Sequence, residues 1–522
     1  LPAERLMPDA ILAIDNGTQS VRALLFDLNG QLLAKSQVEL EPYYSTQPGW
    51  AEQDPDYFWR QLCSACRSLW QMDTVDPATL RAVALTTQRS TVINVDINGN
   101  PLRPAMVWLD QRQLDNIDPL KGPWRYLIKA AGGEDTLNYY RAQAECNWIA
   151  HHQPNIWKAT HKYLLLSGYL TYLLCGNYAD STASQVGYLP FDFKHHRWCA
   201  KHDWRWQALA VKRSQLPRLY APGTVIGQIT AEAARDTGIP HGLPLISAGS
   251  DKACEVIGCG ALTPDTGSIS YGTTATFNVT SPKYREAIPM LPAYPAAMPN
   301  HYSCEVIVQR GYWMVNWFKR EFAQREAEKA KELNIAVESL FERWLEEVPA
   351  GSMGLTLQPY WSPGLRIPGP EAKGAIIGFG DVHTKAHLYR AIIEGIAYAL
   401  REGKERIENR TGQPINKLMV SGGGAQSNGI MQITADIFGM DAHRPHTFET
   451  SGLGAAINGA VGCGLYADHQ QAIAHMTHPG ERFSPVDDHK NLYDQLFKEV
   501  YSPLYEQLKP LYGAIRRIVG YP

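Results

Sequence analysis

Residues 10–27 have the sequence AILAIDNGTQSVRALLFD, in which two apolar runs flank a short polar turn. The uninterrupted apolar run at 10–14 is typical of a buried strand, and residues 21–27 form a second strand. The turn Asp15-Asn16-Gly17-Thr18 contains an Asn-Gly pair, which favours a hairpin. Its amides and hydroxyls could equally hold phosphate oxygens. From this segment alone, a structural hairpin and a phosphate-binding turn are equally good interpretations.

The same order of elements occurs twice along the chain. In the first half, Asn29-Gly30 predicts a second hairpin, with its strand at 32–40, followed by a helix at 55–72 and a strand at 81–87. In the second half, strands at 268–271 and 275–280 flank Gly272-Thr273-Thr274, followed by a helix at 385–410 and a strand at 417–421. Two Gly-Thr hairpins, one opening each half, indicate a duplicated α/β architecture.

Composition excludes several classes of protein. The chain has 522 residues, of which 44% are hydrophobic and 19% charged, as in folded proteins of about two to four domains. A formal net charge of -3 gives no general attraction to nucleic acid or acidic membranes. Nine cysteines without regular spacing favour reduced thiols and a cytoplasmic location. We therefore expect neither a nucleic-acid partner nor a membrane partner.

Two further glycine turns follow predicted strands. Ser421-Gly422-Gly423-Gly424-Ala425 precedes a helix predicted from Asn428, and three consecutive glycines let a ligand approach the backbone closely. The alternative is a flexible loop, because neither a Walker A loop nor a dinucleotide fingerprint is present. Gly272-Thr273-Thr274 is by itself best interpreted as a β-turn.

Several polar side chains follow predicted strands and could carry chemistry. Asp251 follows the strand predicted at 244–248 and could be a helix N-cap or a general base that accepts the proton of an attacking hydroxyl. Gln88, Arg89 and Asp110 could bind sugar hydroxyls, and Trp108 could pack against a carbon chain. Taken singly, a core tryptophan and surface ion pairs explain these residues better.

Together, these motifs resemble those of the FGGY family of carbohydrate kinases in order and spacing. The resemblance covers about residues 10–470 and is strongest at residues 374–395, which resemble the family's second signature. It implies an α/β fold of two actin-like, ribonuclease-H-like domains with a duplicated core around a hinged cleft. The implied domains are residues 8–262 for sugar binding and the catalytic base, residues 263–482 for ATP, and a helical extension at 483–522.

The resemblance also implies ATP- and Mg²⁺-dependent phosphorylation of a sugar or polyol, and it assigns roles to residues. Asp251 is the expected base, and Asp15 lies near the metal. The expected substrate-binding residues are Gln88, Arg89, Trp108, Asp110, Tyr140, Asp251 and Lys252. The expected ATP-binding residues are Thr18, Gln19, Ser20, Arg22, Gly272, Thr273, Asn316, Gly423, Gly424 and Asn428.

The identity of the sugar is less constrained. Gln88-Arg89 resembles glycerol kinase, but Ser90 replaces the glutamate that follows there, which leaves space for a longer polyol or ketose. Glu145 and Lys252 also depart from the family pattern. We predict a short polyol or ketose substrate, from glycerol-like to pentulose, and by analogy a homodimer. The alternatives are a ketopentose kinase of the xylulokinase type, a non-catalytic sugar or nucleotide sensor, and a chaperone-like ATPase.

Overall fold

A computed structural model describes residues 9–520 except 73–74, 116, 131, 290, 363 and 365–367. Residue 8, where the first predicted domain begins, lies outside the described residues. The strands of the two large sheets are labelled β1 to β13 and the helices that contact them or the cavity α1 to α7, each in chain order.

The first large sheet is mixed. Its strands are β1 Ala10–Asn16, β2 Ser20–Asp27, β3 Leu32–Glu39, β4 Leu80–Thr87, β5 Val225–Gln228 and β6 Pro244–Ser250. Across the sheet the order is β5-β6-β4-β1-β2-β3. β1 pairs antiparallel with β2 and parallel with β4, and β4 pairs parallel with β6. The hairpins predicted around Gly17 and Gly30 are confirmed.

The second large sheet repeats this arrangement. Its strands are β7 Thr266–Tyr271, β8 Ala275–Ser281, β9 Tyr294–Pro295, β10 Tyr302–Val308, β11 Lys417–Ser421, β12 Ala442–Pro445 and β13 Pro479–Phe483. Their order is β9-β10-β8-β7-β11-β12-β13. β7 pairs antiparallel with β8 and parallel with β11, as β1 pairs with β2 and β4. The predicted duplication of an α/β core is confirmed.

Helices cover both faces of the first sheet. The labelled helices are α1 Pro55–Trp70, α2 Leu166–Cys175, α3 Asp251–Gly258, α4 Trp313–Phe322, α5 Lys385–Thr411, α6 Asn428–Phe438 and α7 Thr450–Gly462. Leu12 and Ile14 of β1 join the core formed with α1 and α2. Ile11 and Ala13 join the opposite core, formed with α3 and α7. Burial on both faces explains why β1 is uninterruptedly apolar.

Helix α7 connects the two halves, because it belongs to the second half of the chain but packs on the first sheet. A Cβ atom on Gly459 would lie 2.5 Å from Ile11 of β1. Where α7 crosses α3, a Cβ on Gly454 would lie 1.9 Å from the Cys254 carbonyl oxygen, and one on Gly258 2.0 Å from the Thr450 carbonyl oxygen. Only glycine allows two helices to approach this closely.

The remaining elements surround these layers. The other helices are Pro123–Ala130, Glu134–Gln143, Glu145–His152, Pro154–Ala159, Arg205–Ala208, Ala231–Thr237, Gln324–Leu333, Val337–Glu347, His469–Met476, Asp487–Leu496 and Ser502–Val519. A smaller sheet comprises Glu52–Gln53, Val92–Val95, Ala105–Met106 and Lys162–Leu165, and the remaining strands pair in twos: Phe191–Asp192 with Arg197–Trp198, Arg218–Tyr220 with Ala179–Ser181, and Thr356–Gln358 with Ala375–Ile377. Within the described ranges, none of the helices combines the length and apolar character needed to span a membrane.

Candidate active site

A cavity of about 960 Å³ lies between the two large sheets. It is lined by residues from the first and second halves, including all three glycine-containing turns. The predicted site residues in its lining are Thr18, Gln19, Arg22, Gln88, Arg89, Trp108, Asp110, Tyr140, Asp251, Lys252, Gly272, Thr273 and Gly423. Residues widely separated in the sequence therefore face one common space.

On the first-half side, Trp108 connects two of the predicted site segments. Its indole Nε1 donates a hydrogen bond to Thr18 Oγ1 at 2.9 Å, and that hydroxyl lies 3.4 Å from Gln88 Oε1. The hydroxyl of Tyr140 donates to the Leu189 carbonyl oxygen at 2.9 Å. These bonds fix the orientation of Thr18, Trp108 and Tyr140, all three of which line the cavity.

Arg89 is held by residues of both halves. Its Nη1 lies 2.8 Å and 3.0 Å from the two carboxylate oxygens of Glu305 on β10. Its Nε donates to Ser250 Oγ at 3.2 Å, and its guanidinium carbon lies 5.2 Å from the ring centroid of Tyr294. Next to it, Ser90 has a left-handed backbone with φ of 55°, a conformation that is unfavourable for serine and common at functional sites.

Asp110 is saturated by local donors. Arg112 donates to it from Nε at 2.8 Å and from Nη2 at 2.5 Å, and the Ala51 amide donates at 2.8 Å. Arg112 in turn lies 3.8 Å from the ring centroid of Trp50. Asp110 lines the cavity, but its contacts are those of a residue that stabilises the wall.

Asp251 is the first residue of α3, directly after β6. The N-cap is Ser250, whose hydroxyl accepts from the Ala253 amide, so Asp251 is not itself the N-cap. One carboxylate oxygen of Asp251 accepts from the Lys252 amide at 2.7 Å. Burial raises the pKa of Asp251 above its ordinary value, while Lys252 and Arg89 lower it. A raised pKa makes this carboxylate a stronger base than an ordinary aspartate.

Lys252 joins α3 to the second sheet. Its Nζ donates to Glu255 at 2.7 Å and to the Ser270 hydroxyl at 2.6 Å, and a Cβ on Gly272 would lie 3.4 Å from it. The Ser421 hydroxyl also donates to Glu255, at 2.7 Å. The Lys252 ammonium therefore lies beside the Gly272 turn.

Asp15 is 4% exposed and lies behind the cavity wall. Its Oδ2 accepts from Arg22 Nη1 at 3.2 Å, whereas its Oδ1 is buried without a hydrogen-bond partner. Burial is the main cause that raises the pKa of Asp15 to about 7, with Arg22 lowering it and Asp251 and Glu449 raising it. A buried carboxylate oxygen without a partner is costly unless a ligand completes it.

Comparison with known proteins identifies the family. The model of the FGGY family of carbohydrate kinases, N-terminal domain, matches residues 10–258, and that of the C-terminal domain matches residues 267–463. The chain belongs to the FGGY family of carbohydrate kinases. It is therefore a phosphotransferase that acts on sugar hydroxyls, and sugar kinases of this family use ATP as phosphate donor.

Relatives of this FGGY kinase match along almost its whole length. The sugar kinase YgcE of Escherichia coli is 28% identical over 95% of this chain and 93% of its own. The xylulose kinase of Staphylococcus epidermidis is 27% identical over 97% of this chain and 98% of its own. The crystal structure of gluconate kinase from Lactobacillus acidophilus, at 22% identity, covers 97% of this chain and 99% of its own with a TM-score of 0.80; it shows the same two-domain fold.

Five predicted site residues of this FGGY kinase do not line the cavity: Asp15, Ser20, Asn316, Gly424 and Asn428. Asp15 and Ser20 are buried in β1 and β2. Asn316 is exposed on α4, and Asn428 at the start of α6 accepts from Arg444 Nη2 at 2.8 Å. Their predicted roles stay predictions; neither α4, which carries Asn316, nor α6, which begins at Asn428, contributes a residue to the described cavity lining.

Four acidic residues of the cavity lining were not among the predicted site residues: Glu145, Glu255, Glu305 and Glu449. Glu305 lies in an apolar strand between Cys304 and Val306. The one sequence feature that could have indicated a functional role is an acidic residue within that apolar run. Glu145 lines the cavity, and burial raises its pKa to about 8. At neutral pH this carboxyl holds a proton and can donate a hydrogen bond to a sugar hydroxyl.

Proposed function

We propose that this kinase transfers the γ-phosphoryl group of ATP to a hydroxyl of a short polyol or ketose, with Asp251 as general base. The observation that carries the proposal is the position of Asp251. Its carboxylate lines the same cavity as the hydroxyl-binding side chains Gln88 and Arg89 and as the glycine turns at Gly272 and Gly423. A base between a sugar-binding wall and phosphate-binding turns is what transfer to an alcohol requires.

The proposed transfer needs only the substrate, ATP and the carboxylate of Asp251 to account for every bond and proton. The substrate oxygen attacks the γ-phosphorus, and its proton passes to the carboxylate of Asp251. The bond between the γ-phosphorus and the bridging oxygen breaks, and ADP leaves with that electron pair. The raised pKa of Asp251 favours acceptance of the proton. Closure of the two halves around the substrate would exclude water, which otherwise competes as acceptor.

The residues near Asp15 fit a Mg²⁺ ion. The buried Oδ1 of Asp15 has no hydrogen-bond partner, and oxygen donors are the ligands that Mg²⁺ prefers. Within the described part of the chain, no group of three or more His, Cys, Asp or Glu side chains could hold a metal by itself. Mg²⁺ typically uses one or two carboxylates together with phosphates and waters. When bound, the ion would neutralise phosphate charge during transfer.

The nucleotide side of the proposal rests on the third glycine turn, and two neighbouring glycines there predict different outcomes. A Cβ on Gly423 would meet nothing within 4 Å, whereas one on Gly424 would lie 2.7 Å from Tyr271 Cβ and 3.0 Å from the Tyr312 ring. We expect Gly423→Ala to fold normally and raise the KM for ATP at least about fivefold, because its methyl group occupies ligand space.

Gly424→Ala is the matched comparison. We expect it to lower the free energy of unfolding by about 1–3 kcal/mol, because its methyl group overpacks two rings. Urea unfolding and ATP titrations of both variants separate the two effects. An unchanged KM for ATP in Gly423→Ala would contradict nucleotide binding at this turn.

A ketopentose is the second candidate substrate. The full-length similarity to a protein named xylulose kinase and the small Ser90 side chain in the cavity lining favour a substrate longer than glycerol. Ser90 Oγ donates to the Val186 carbonyl oxygen at 2.9 Å, so it withdraws from the cavity rather than filling it. The homodimer expected from the family and the cytoplasmic location expected from the cysteines stay predictions.

The test is an ADP-release assay with Mg²⁺ across glycerol, erythritol and the D- and L-ketopentoses, with the phosphorylated product identified by mass spectrometry. We expect sugar-dependent ADP release and a matching sugar phosphate for at least one compound. ATP hydrolysis that no compound stimulates, together with no sugar binding in calorimetry, would refute the proposed substrate class and favour the sensor alternative.

A further inference from the structure

The ion pair between Arg89 and Glu305 crosses the cavity from one large sheet to the other. Arg89 follows β4, and Glu305 lies on β10. Their side chains are 14% and 1% exposed, and one guanidinium nitrogen lies within 3.0 Å of both carboxylate oxygens. Such a buried, charge-assisted contact is strong and sensitive to loss of either partner.

Arg89 would otherwise be the natural binding group for an anionic sugar. A guanidinium matches the geometry of a carboxylate or phosphate better than any other side chain. Here Glu305 occupies its Nη1 and Ser250 accepts from its Nε at 3.2 Å. A sugar acid at this position would have to displace Glu305 or lie beside its buried negative charge. An uncharged hydroxyl can accept from the remaining guanidinium N–H groups without that cost.

The other cations of the cavity are also neutralised. The pairs are Lys252 with Glu255 at 2.7 Å, Arg112 with Asp110 at 2.5 Å, Arg22 with Asp15 at 3.2 Å, and Lys35 with Glu449 at 2.5 Å. Every lysine and arginine in the described lining therefore has a carboxylate partner within 4.0 Å. Asp251 adds a further carboxyl group. The charge of the lining disfavours an anionic sugar.

We propose that Glu305 is a specificity-determining residue: it holds the guanidinium of Arg89 and thereby restricts the sugar site to uncharged polyols and ketoses. This inference rests on the proposed function, because it concerns the charge of the substrate that the kinase phosphorylates. It identifies a residue of the second half as part of sugar selection.

The test compares Glu305→Gln with the wild type on the best neutral substrate of the panel and on D-gluconate as the sugar acid. We expect the wild type to prefer the neutral sugar at least 100-fold in kcat/KM. In Glu305→Gln, which frees Arg89 without changing the side-chain size, we expect this preference to fall at least tenfold through higher kcat/KM for gluconate. Thermal unfolding with and without gluconate gives a second readout, since a bound ligand stabilises the fold.

Two further variants locate the effect. The double variant Arg89→Gln with Glu305→Gln should lose the gain on gluconate, because that gain requires the freed guanidinium. Glu347→Gln removes the same charge from an exposed pair with Arg343 and should leave the preference unchanged.

Any one of three results would overturn the inference. The wild type could prefer gluconate, or Glu305→Gln could leave both the preference and the gluconate-induced stabilisation unchanged. The third such result is a gain on gluconate that survives in the double variant. Failure of the proposed function is distinguishable from these results. In that case the wild type phosphorylates neither class of compound.

Discussion

Asp251→Asn is expected to lower sugar-dependent turnover at least about 100-fold, the usual contribution of a general base. Asparagine keeps the size of the side chain and an oxygen that can accept from the Lys252 amide, as Asp251 does at 2.7 Å. It cannot accept the proton of the attacking hydroxyl. The loss should therefore appear in kcat, with the affinity for ATP unchanged, and steady-state kinetics combined with ATP-binding calorimetry will measure both.

A second buried aspartate provides the control for this prediction. Asp180 accepts from Ser167 Oγ at 2.8 Å, from Gln185 Nε2 at 2.9 Å and from the Ser181 amide at 2.7 Å, and it does not line the cavity. Asp180→Asn would direct an NH₂ group at these donors, so we expect it to lower stability by about 1–3 kcal/mol with kcat retained. If Asp251→Asn kept its turnover, or if Asp180→Asn lost turnover to the same extent, Asp251 would not be the base.

Local sequence patterns predicted those parts of the fold that neighbouring residues determine. The hairpin at Gly30 forms as its Asn-Gly pair predicts, because Gly30 takes a positive φ of 74° in the turn. The Asn-Gly pair also marks the first hairpin, but there Asn16 is still paired in β1 and Gly17 does not have a positive φ. β1 is recognisable because it is buried on both faces. From the sequence, the uncharged stretch at 163–178 is typical of a buried helix, whereas in the structure Lys162–Leu165 is a strand and α2 begins at Leu166. A short apolar run is compatible with either structure, and only pairing with Val92–Val95 decides it.

Long-range contacts could not be predicted in this way. Arg89 and Glu305 are 216 positions apart, and they meet only because β4 and β10 face one cavity. Helix α7 consists of small residues that indicate close packing, but the sequence does not say that its partner is the first sheet. Asn316 was assigned by resemblance alone, and its exposed position on α4 depends on how that helix packs. The predicted site residues that follow strands do lie together, because the ends of strands from both sheets border the same cavity.

Asp15→Asn is expected to separate stability from activity. In the unfolded chain an aspartate ionises near pH 3.8, whereas burial raises the pKa of Asp15 to about 7 in the folded protein. The folded state therefore holds a proton that the unfolded state releases between these pH values. By linkage, the stabilisation of the folded state by this bound proton is fully present below pH 3.8 and is lost as the pH rises through 7. At pH 8 the ionised carboxylate costs up to about 4 kcal/mol relative to an exposed one.

Asparagine carries no charge at any of these pH values, so the variant should lose less stability than the wild type between pH 5 and pH 8. Urea unfolding without nucleotide at both pH values measures the difference, and Asp441→Asn, which changes a partly exposed pair with Arg482, should follow the wild type.

The same Asp15→Asn change should lower turnover at least about tenfold and raise the Mg²⁺ concentration needed for half-maximal rate, because the unpaired Oδ1 is then a weaker metal ligand. A variant that is more stable at pH 8 and less active would indicate that the buried carboxylate is kept for phosphoryl transfer at the expense of the fold. Equal pH dependence in the wild type and the variant would show that Asp15 is ionised throughout, and unchanged turnover would exclude it from the metal site.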